Sequence, residues 1–286
     1  MRKVLLATTA LVAMSVTGAQ ADVSISGNQN FEMKDNGTAT TWFQDGDVQI
    51  KSTNTTDSGL TLTAAHHINT SLTTAAAVNA GTSIGQHLDD SYVDIAGEFG
   101  SIRLGQTDEA LDRMDGAMPS NWDESGNGGF AIGGDKTAAS IILPAVSGAT
   151  IYASSTAEGT YSGMGVNYTS GPVTAMYQSG TNGTANQTLI AVNFTMAGLT
   201  VGFGAGDDEP GGGVAKVEHS AMGAKYTVNE ALKVYYTSQK IKGGSTANAI
   251  GGYYQVAPGL QLAAETANSA ASPSVTSTYG HVKVSF

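Results

Sequence analysis

Between Asp108 and Lys136 the chain concentrates Asp108, Glu109, Asp112, Asp115, Asp123, Glu124 and Asp135 against only Arg113 and Lys136. Ionised carboxylates at this density attract cations and repel anions, so their chemistry is the electrostatic sorting of solutes rather than bond-breaking. No nucleophile motif accompanies them, and there is no cysteine for thiolate chemistry. Gly202 to Gly206 and Gly211 to Gly213 precede no helix, which argues against a phosphate cradle. His66 and His67 are neighbours on a strand and point to opposite faces, so they cannot share a metal. Catalysis, a required cofactor and a resident metal are not expected. Asp89-Asp90 and Asp207-Asp208-Glu209 offer oxygen ligands for a loop-bridging Ca2+ at most, since no EF-hand or Gly-Asp repeat spacing is present.

A loop as long as 108–136 needs rigid elements to aim it. Those elements are short alternating segments. The tail Tyr279 to Phe286 sets Val282, Val284 and Phe286 on one face and Tyr279, His281, Lys283 and Ser285 on the other. Comparable segments fall near 23–33, 43–54, 60–69, 88–97, 101–107, 137–145, 149–156, 161–169, 172–179, 187–196, 199–206, 217–228, 232–240, 247–256, 260–268 and 277–286. Every second connection is tight, at 55–59, 98–100, 146–148, 170–172, 197–198, 229–230 and 258–259, with longer polar connections expected between. After the N-terminal segment no apolar run approaches the ~18 residues of a helical span.

The pattern predicts an all-β protein, a transmembrane antiparallel up-and-down β-barrel of about 16 strands, with 14 or 18 as alternatives. At 16–18 strands the interior is an aqueous channel. Its lining is then the polar set: Ser24, Ser26, Asn28, Asn30, Glu32, Gln49, Lys51, Thr53, Thr61, Thr63, His67, Arg103, Gln106 (slightly out of phase), Thr174, Gln178, Asn193, Thr195, Lys233, Gln261, Glu265, His281 and Lys283. Lys51, Arg103 and His67 are the candidate cations of the wall, with Lys34 near the rim.

The N-terminus supplies a route to a membrane. Arg2 and Lys3, the apolar stretch Val4 to Met14 and Ala19-Gln20-Ala21 read as a secretory signal peptide over 1–21, cleaved between Ala21 and Asp22. One domain, 22–286, follows. The formal net charge of −11 for the whole chain excludes nucleic acid as a partner, because phosphate binding needs a basic surface.

The opening Asp22 to Gly27, the turn and strand Gly97 to Gly105, the acidic loop immediately after it and the terminal Phe286 resemble the trimeric general porins of Gram-negative outer membranes, of the alphaproteobacterial type. The resemblance covers the whole of 22–286. It implies that 108–136 is a third outer loop folded inward, with Asp108, Glu109, Asp112, Asp115, Asp123 and Glu124 at a constriction facing Lys51, Arg103 and His67. So few wall cations imply a net negative, cation-preferring pore for ions and small hydrophilic solutes. The same resemblance implies a homotrimer in which Val23, Ile25, Val48, Ile50, Leu60 and Leu62 face a neighbour or lipid. It also implies an aromatic girdle including Trp42, Phe43, Tyr168, Phe194, Phe203, Tyr236 and Tyr254, and Phe286 as the assembly signal. Periplasmic chaperones and the barrel-assembly machinery are the implied partners in reaching the outer membrane. The competing readings are a substrate-specific outer-membrane channel and a secreted β-rich surface protein or adhesin.

Overall fold

A computed structural model describes residues 21–71, 85–108, 116–122, 135–156, 159–212, 214–269 and 274–286. The alternating segments form β1 (Asp22–Asp35), β2 (Thr40–Thr55), β3 (Thr61–Ser71), β4 (Gly85–Gly97), β5 (Gly100–Asp108), β6 (Asp135–Ile142), β7 (Ala149–Thr156) and β8 (Tyr161–Ser170). They continue as β9 (Val173–Asn182), β10 (Ala185–Met196), β11 (Leu199–Glu209), β12 (Val217–Thr227), β13 (Leu232–Ile241), β14 (Thr246–Ala257), β15 (Leu260–Asn268) and β16 (Thr276–Ser285). Each pairs antiparallel with its sequence neighbours, and β1 pairs with β16 to close the ring.

Closure satisfies every strand edge, which is what allows a sheet to stand in hydrocarbon. The last residue completes it: Phe286 N donates to Gly27 O at 3.0 Å, and Gly27 N to Phe286 O at 3.1 Å. The ring of Phe286 lies over Gly27, where a Cβ would come within 2.8 Å of it.

The ring is apolar outside. Phe203, Ile250 and Met164 are each 60% exposed or more, on the face opposite their polar neighbours. A water-soluble sandwich would bury such residues, whereas a barrel wall presents them to lipid. A cluster of buried apolar residues lies on the inner side instead, formed by Met118, Tyr161, Met176, Leu189, Ala191 and Ala221.

Four expectations require correction. Gln106 alternates with Arg103 and Gly105 on β5, so it shares the outer face with Leu104 and stands opposite Ser91. Phe43 stands opposite the inward Glu32, so it faces the lumen while Trp42 points outward and stacks on Phe31. The outer connections are also not uniformly long. Only Gly183-Thr184 joins β9 to β10, and 36–39 joins β1 to β2, so the asymmetry is carried mainly by 72–84 and 109–134. Strand 137–145 becomes Asp135–Ile142, stopping just before Leu143-Pro144, where proline has no amide to offer the ladder.

Candidate functional site

The site is the inner face of the ring, and its first feature is a piece of the long loop seated deep within it. Segment 116–122 leaves the chain after β5 yet touches β10 to β13, on the far side of the closed sheet. Pro119 begins a single 3-10 turn, Pro119–Asn121, in which Asn121 N donates to Met118 O at 3.0 Å and Trp122 N to Pro119 O at 3.3 Å. The indole Nε1 donates to Gly116 O at 3.1 Å, tying the segment to itself.

Three strand residues without side chains make room for it. A Cβ at Gly202 would lie 2.7 Å from Trp122 and 2.8 Å from Pro119, and one at Gly223 would lie 3.1 Å from each; at Gly204 it would collide with the Met118 sulfur. Asn193 Nδ2 donates to Ala117 O at 2.9 Å. Lys225 Nζ stands 4.3 Å from the Trp122 ring centroid, a cation–π contact. Met118 fills the lumenal apolar cluster and is fully buried.

The candidate loop carboxylates Glu109, Asp112, Asp115, Asp123 and Glu124 lie outside the described residues. Asp108 ends β5 opposite Asp135, and its side chain is likewise outside them. The wall cations lie among the described residues. Arg103 Nη2 donates to Asp94 Oδ2 at 2.9 Å, and its guanidinium lies 3.7 Å from the Tyr92 ring centroid. His67 stands 3.4 Å from Asp47 and 3.9 Å from Asp90. Asp90 reaches it from a β-bulge: opposite His66 and His67, β4 offers Ser91 and Asp89, with Asp90 extra and at φ 39°. Lys51 lies between Ser24 and Ala65 in register and has no ion pair among the described residues. All three face the lumen, but Arg103 and His67 are each matched by carboxylates of their own wall.

His66 points outward and bonds Ser91 through Nδ1 at 2.8 Å, so the adjacent histidines do part. Lys34 lies over the Tyr279 ring, 4.8 Å from its centroid, near the outer end of β1. Asp207 and Glu209 take Lys216 at 3.1 and 3.4 Å. Lys216 lies outside the strands, and its hydrogen bond to Asp207 holds its pKa above the usual lysine value. Among the described residues no group of three or more His, Cys, Asp or Glu is placed to hold a metal.

Sequence reasoning missed Lys225, which faces the lumen beside Gly223. The signal was present, since Met222, Ala224 and Tyr226 form the opposite, lipid-side set. It also missed the buried bond from Tyr235 Oη to Glu265 Oε2 at 2.6 Å. Lys225, Lys233, Tyr235, Tyr253, Asn121 and Trp122 surround a lumenal cavity of about 400 Å³.

A family profile described as Gram-negative porin matches residues 7–272. Comparison with curated proteins finds no match. Among solved structures, a triple mutant of Rhodopseudomonas blastica porin is similar at 16% identity and TM-score 0.73, covering 93% of this chain and 100% of its own. A loop-deletion variant of OmpT, an outer-membrane protein of Vibrio cholerae, is similar at 15% identity and TM-score 0.73, covering 93% and 99%.

Proposed function

This chain belongs to the Gram-negative porin family, and we propose that its channel prefers cations, with the acidic loop 108–136 as the constriction that sets the preference. It is an outer-membrane β-barrel whose work is conduction rather than catalysis, and the reading as a secreted adhesin falls with that. The observation that carries the proposal is the seating of 116–122 on the lumenal glycines of β11 and β12. On this reading the loop's carboxylates act within the bore, where a water-filled passage gives a fixed charge its greatest reach. The carboxylates matched to Arg103 and His67 support the sign, because they cancel the positive charge that would oppose it. Ions and small hydrophilic solutes are the cargo.

The assembly is a homotrimer on this reading. Outward Gln29, Gln44, His66 and Gln106 lie among the apolar residues of β1 to β5 and are exposed. Polar side chains on a lipid face are costly, and a neighbouring subunit offers them partners. The leader 1–21 is cleaved before Asp22, and Phe286 serves assembly through periplasmic chaperones and the barrel-assembly machinery. Deleting Phe286 removes both bonds to Gly27 and is expected to abolish most outer-membrane yield, read by surface labelling; normal yield contradicts that role.

The sign of selectivity is tested by neutralising Asp108, Glu109, Asp112 and Asp115 together to Asn or Gln. The zero-current potential across a KCl gradient should move toward the anion side. An unmoved potential in a conducting channel rejects the loop as the selectivity element.

A further inference from the structure

The ionisable groups of the lumen are sorted along the barrel axis. Both chain termini and the turns 56–60, 98–99, 171–172, 197–198, 228–231 and 258–259 share one end, the periplasmic one in this family. Close to that end stand the wall's bases. Lys51 is four residues before Thr55, and Arg103 three after Gly100. Lys225 is two before Thr227, Lys233 follows Leu232, and Lys283 is two before Ser285. Most lumenal carboxylates sit elsewhere: Glu32 is three residues from the outer end of β1, Asp208 adjoins the outer end of β11, and Asp45, Asp47, Asp90 and Glu265 occupy the middle to outer reaches of their strands. The deep exceptions are Asp94, bound to Arg103, and Asp22, the first residue of β1 and in phase with Ser24, while Glu230 of the turn 228–231 lines a separate pocket with Lys233. Lys34 is the outer exception and lies on Tyr279.

Lys51, Lys225, Lys233 and Lys283 form no ion pair among the described residues. Lys225 and Lys233 share the cavity of about 400 Å³ with Trp122, Tyr235 and Tyr253, and among the described residues no carboxylate lines it. Uncompensated like charges around a wet space gather counter-ions of opposite sign.

We propose that the lumen holds a second selectivity zone, a basic ring at its periplasmic end that gathers small inorganic anions, in series with the acidic zone above it. The inference rests on the porin reading and deepens it, because two zones of opposite sign in series make current depend on the direction of voltage. With the outer side positive, cations enter through the acidic zone while anions enter through the basic ring. Both move toward the junction and enrich it. With the outer side negative, both are drawn away and the junction is depleted. The larger current therefore flows with the outer side positive. The effect belongs to low salt, since the screening length is about 10 Å at 0.1 M and about 3 Å at 1 M.

The test is the single-channel current–voltage relation of the purified protein in symmetric KCl. Orientation is fixed by a biotinylated Thr38→Cys in the loop 36–39, unique because the chain has no cysteine, with streptavidin added to one side. At 0.1 M the ratio of currents at opposite voltages should be about 1.5-fold or more in favour of outer-positive, and it should approach unity at 1 M. Lys225→Gln/Lys233→Gln/Lys283→Gln, read from channels that conduct, should lose the asymmetry. Equal currents of both signs at 0.1 M overturn the proposal, as does asymmetry retained in the triple variant. Failure of the wild-type protein to conduct at all would instead overturn the porin reading.

Discussion

The two walls of the lumen are built on the same alternation and put to different uses. On β7 to β11 the inward side chains are small, apolar or neutral, including Tyr152, Met176, Leu189, Ala191, Gly202 and Gly204, with charge reached only at Asp208 near the rim. On β12 to β16 and β1 to β5 they include Lys225, Lys233, Glu265, Lys283, Glu32, Asp47, Lys51, Asp94 and Arg103. A neutral wall with missing side chains receives the loop by dry packing, as Met118, Tyr161 and Met176 show by being almost fully buried. A charged wall resists such covering, because removing its ions from water costs more than packing returns. The difference assigns the first wall, together with the adjoining Gly223 and Lys225 of β12, to holding the loop, and the rest of the second wall to contact with permeating ions.

The comparison breaks most visibly if the loop is unseated. Met118→Ala should cost about 2–5 kcal/mol of local packing, the range for a buried methionine truncated to alanine. The expected readout is a lower unfolding temperature together with noisier open-channel current. Quiet, wild-type current would mean that the neutral wall does not hold the loop. On the charged wall, Asp94→Asn removes the charge-assisted bond from Arg103 Nη2 to Asp94 Oδ2, at a cost of about 1.5–3 kcal/mol. It should also shift the zero-current potential toward anions, and an unchanged potential would place Arg103 outside the ion path.

Much of this architecture was legible because a wall between lipid and water imposes a period of two on every strand. The clear strands fall where the alternation placed them, and His66 and His67 part as adjacent strand residues must. The misplaced Gln106 has a physical cause. A position three residues from Arg103 can share its face only across a bulge, and the bulge lies instead at Asp90 on β4. The loop's seat was not legible, because Gly202, Gly204 and Gly223 read locally as weak strand positions. Their purpose exists only when 116–122, far away in sequence, arrives to fill them. Nor could alternation tell which wall the loop would occupy, since both walls obey it equally.

The smallest expected effect lies on neither wall. Lys242, just past the end of β13, donates to both carboxylate oxygens of Glu218 on β12 at 2.9 Å, with 72% of its side chain exposed. Lys242→Ala should change stability by less than about 1 kcal/mol, because solvent screens such pairs. Its conductance and selectivity should match the wild type. A marked change in either would extend the ion path to the outer rim and blur the division of labour between the walls.

Planar-bilayer recording of the purified protein decides whether this barrel conducts ions with a preference for cations. Under a salt gradient, discrete current steps are expected whose zero-current potential has the sign of cation preference. Folded, membrane-inserted protein that gives no steps, or steps with the opposite sign, would contradict that expectation.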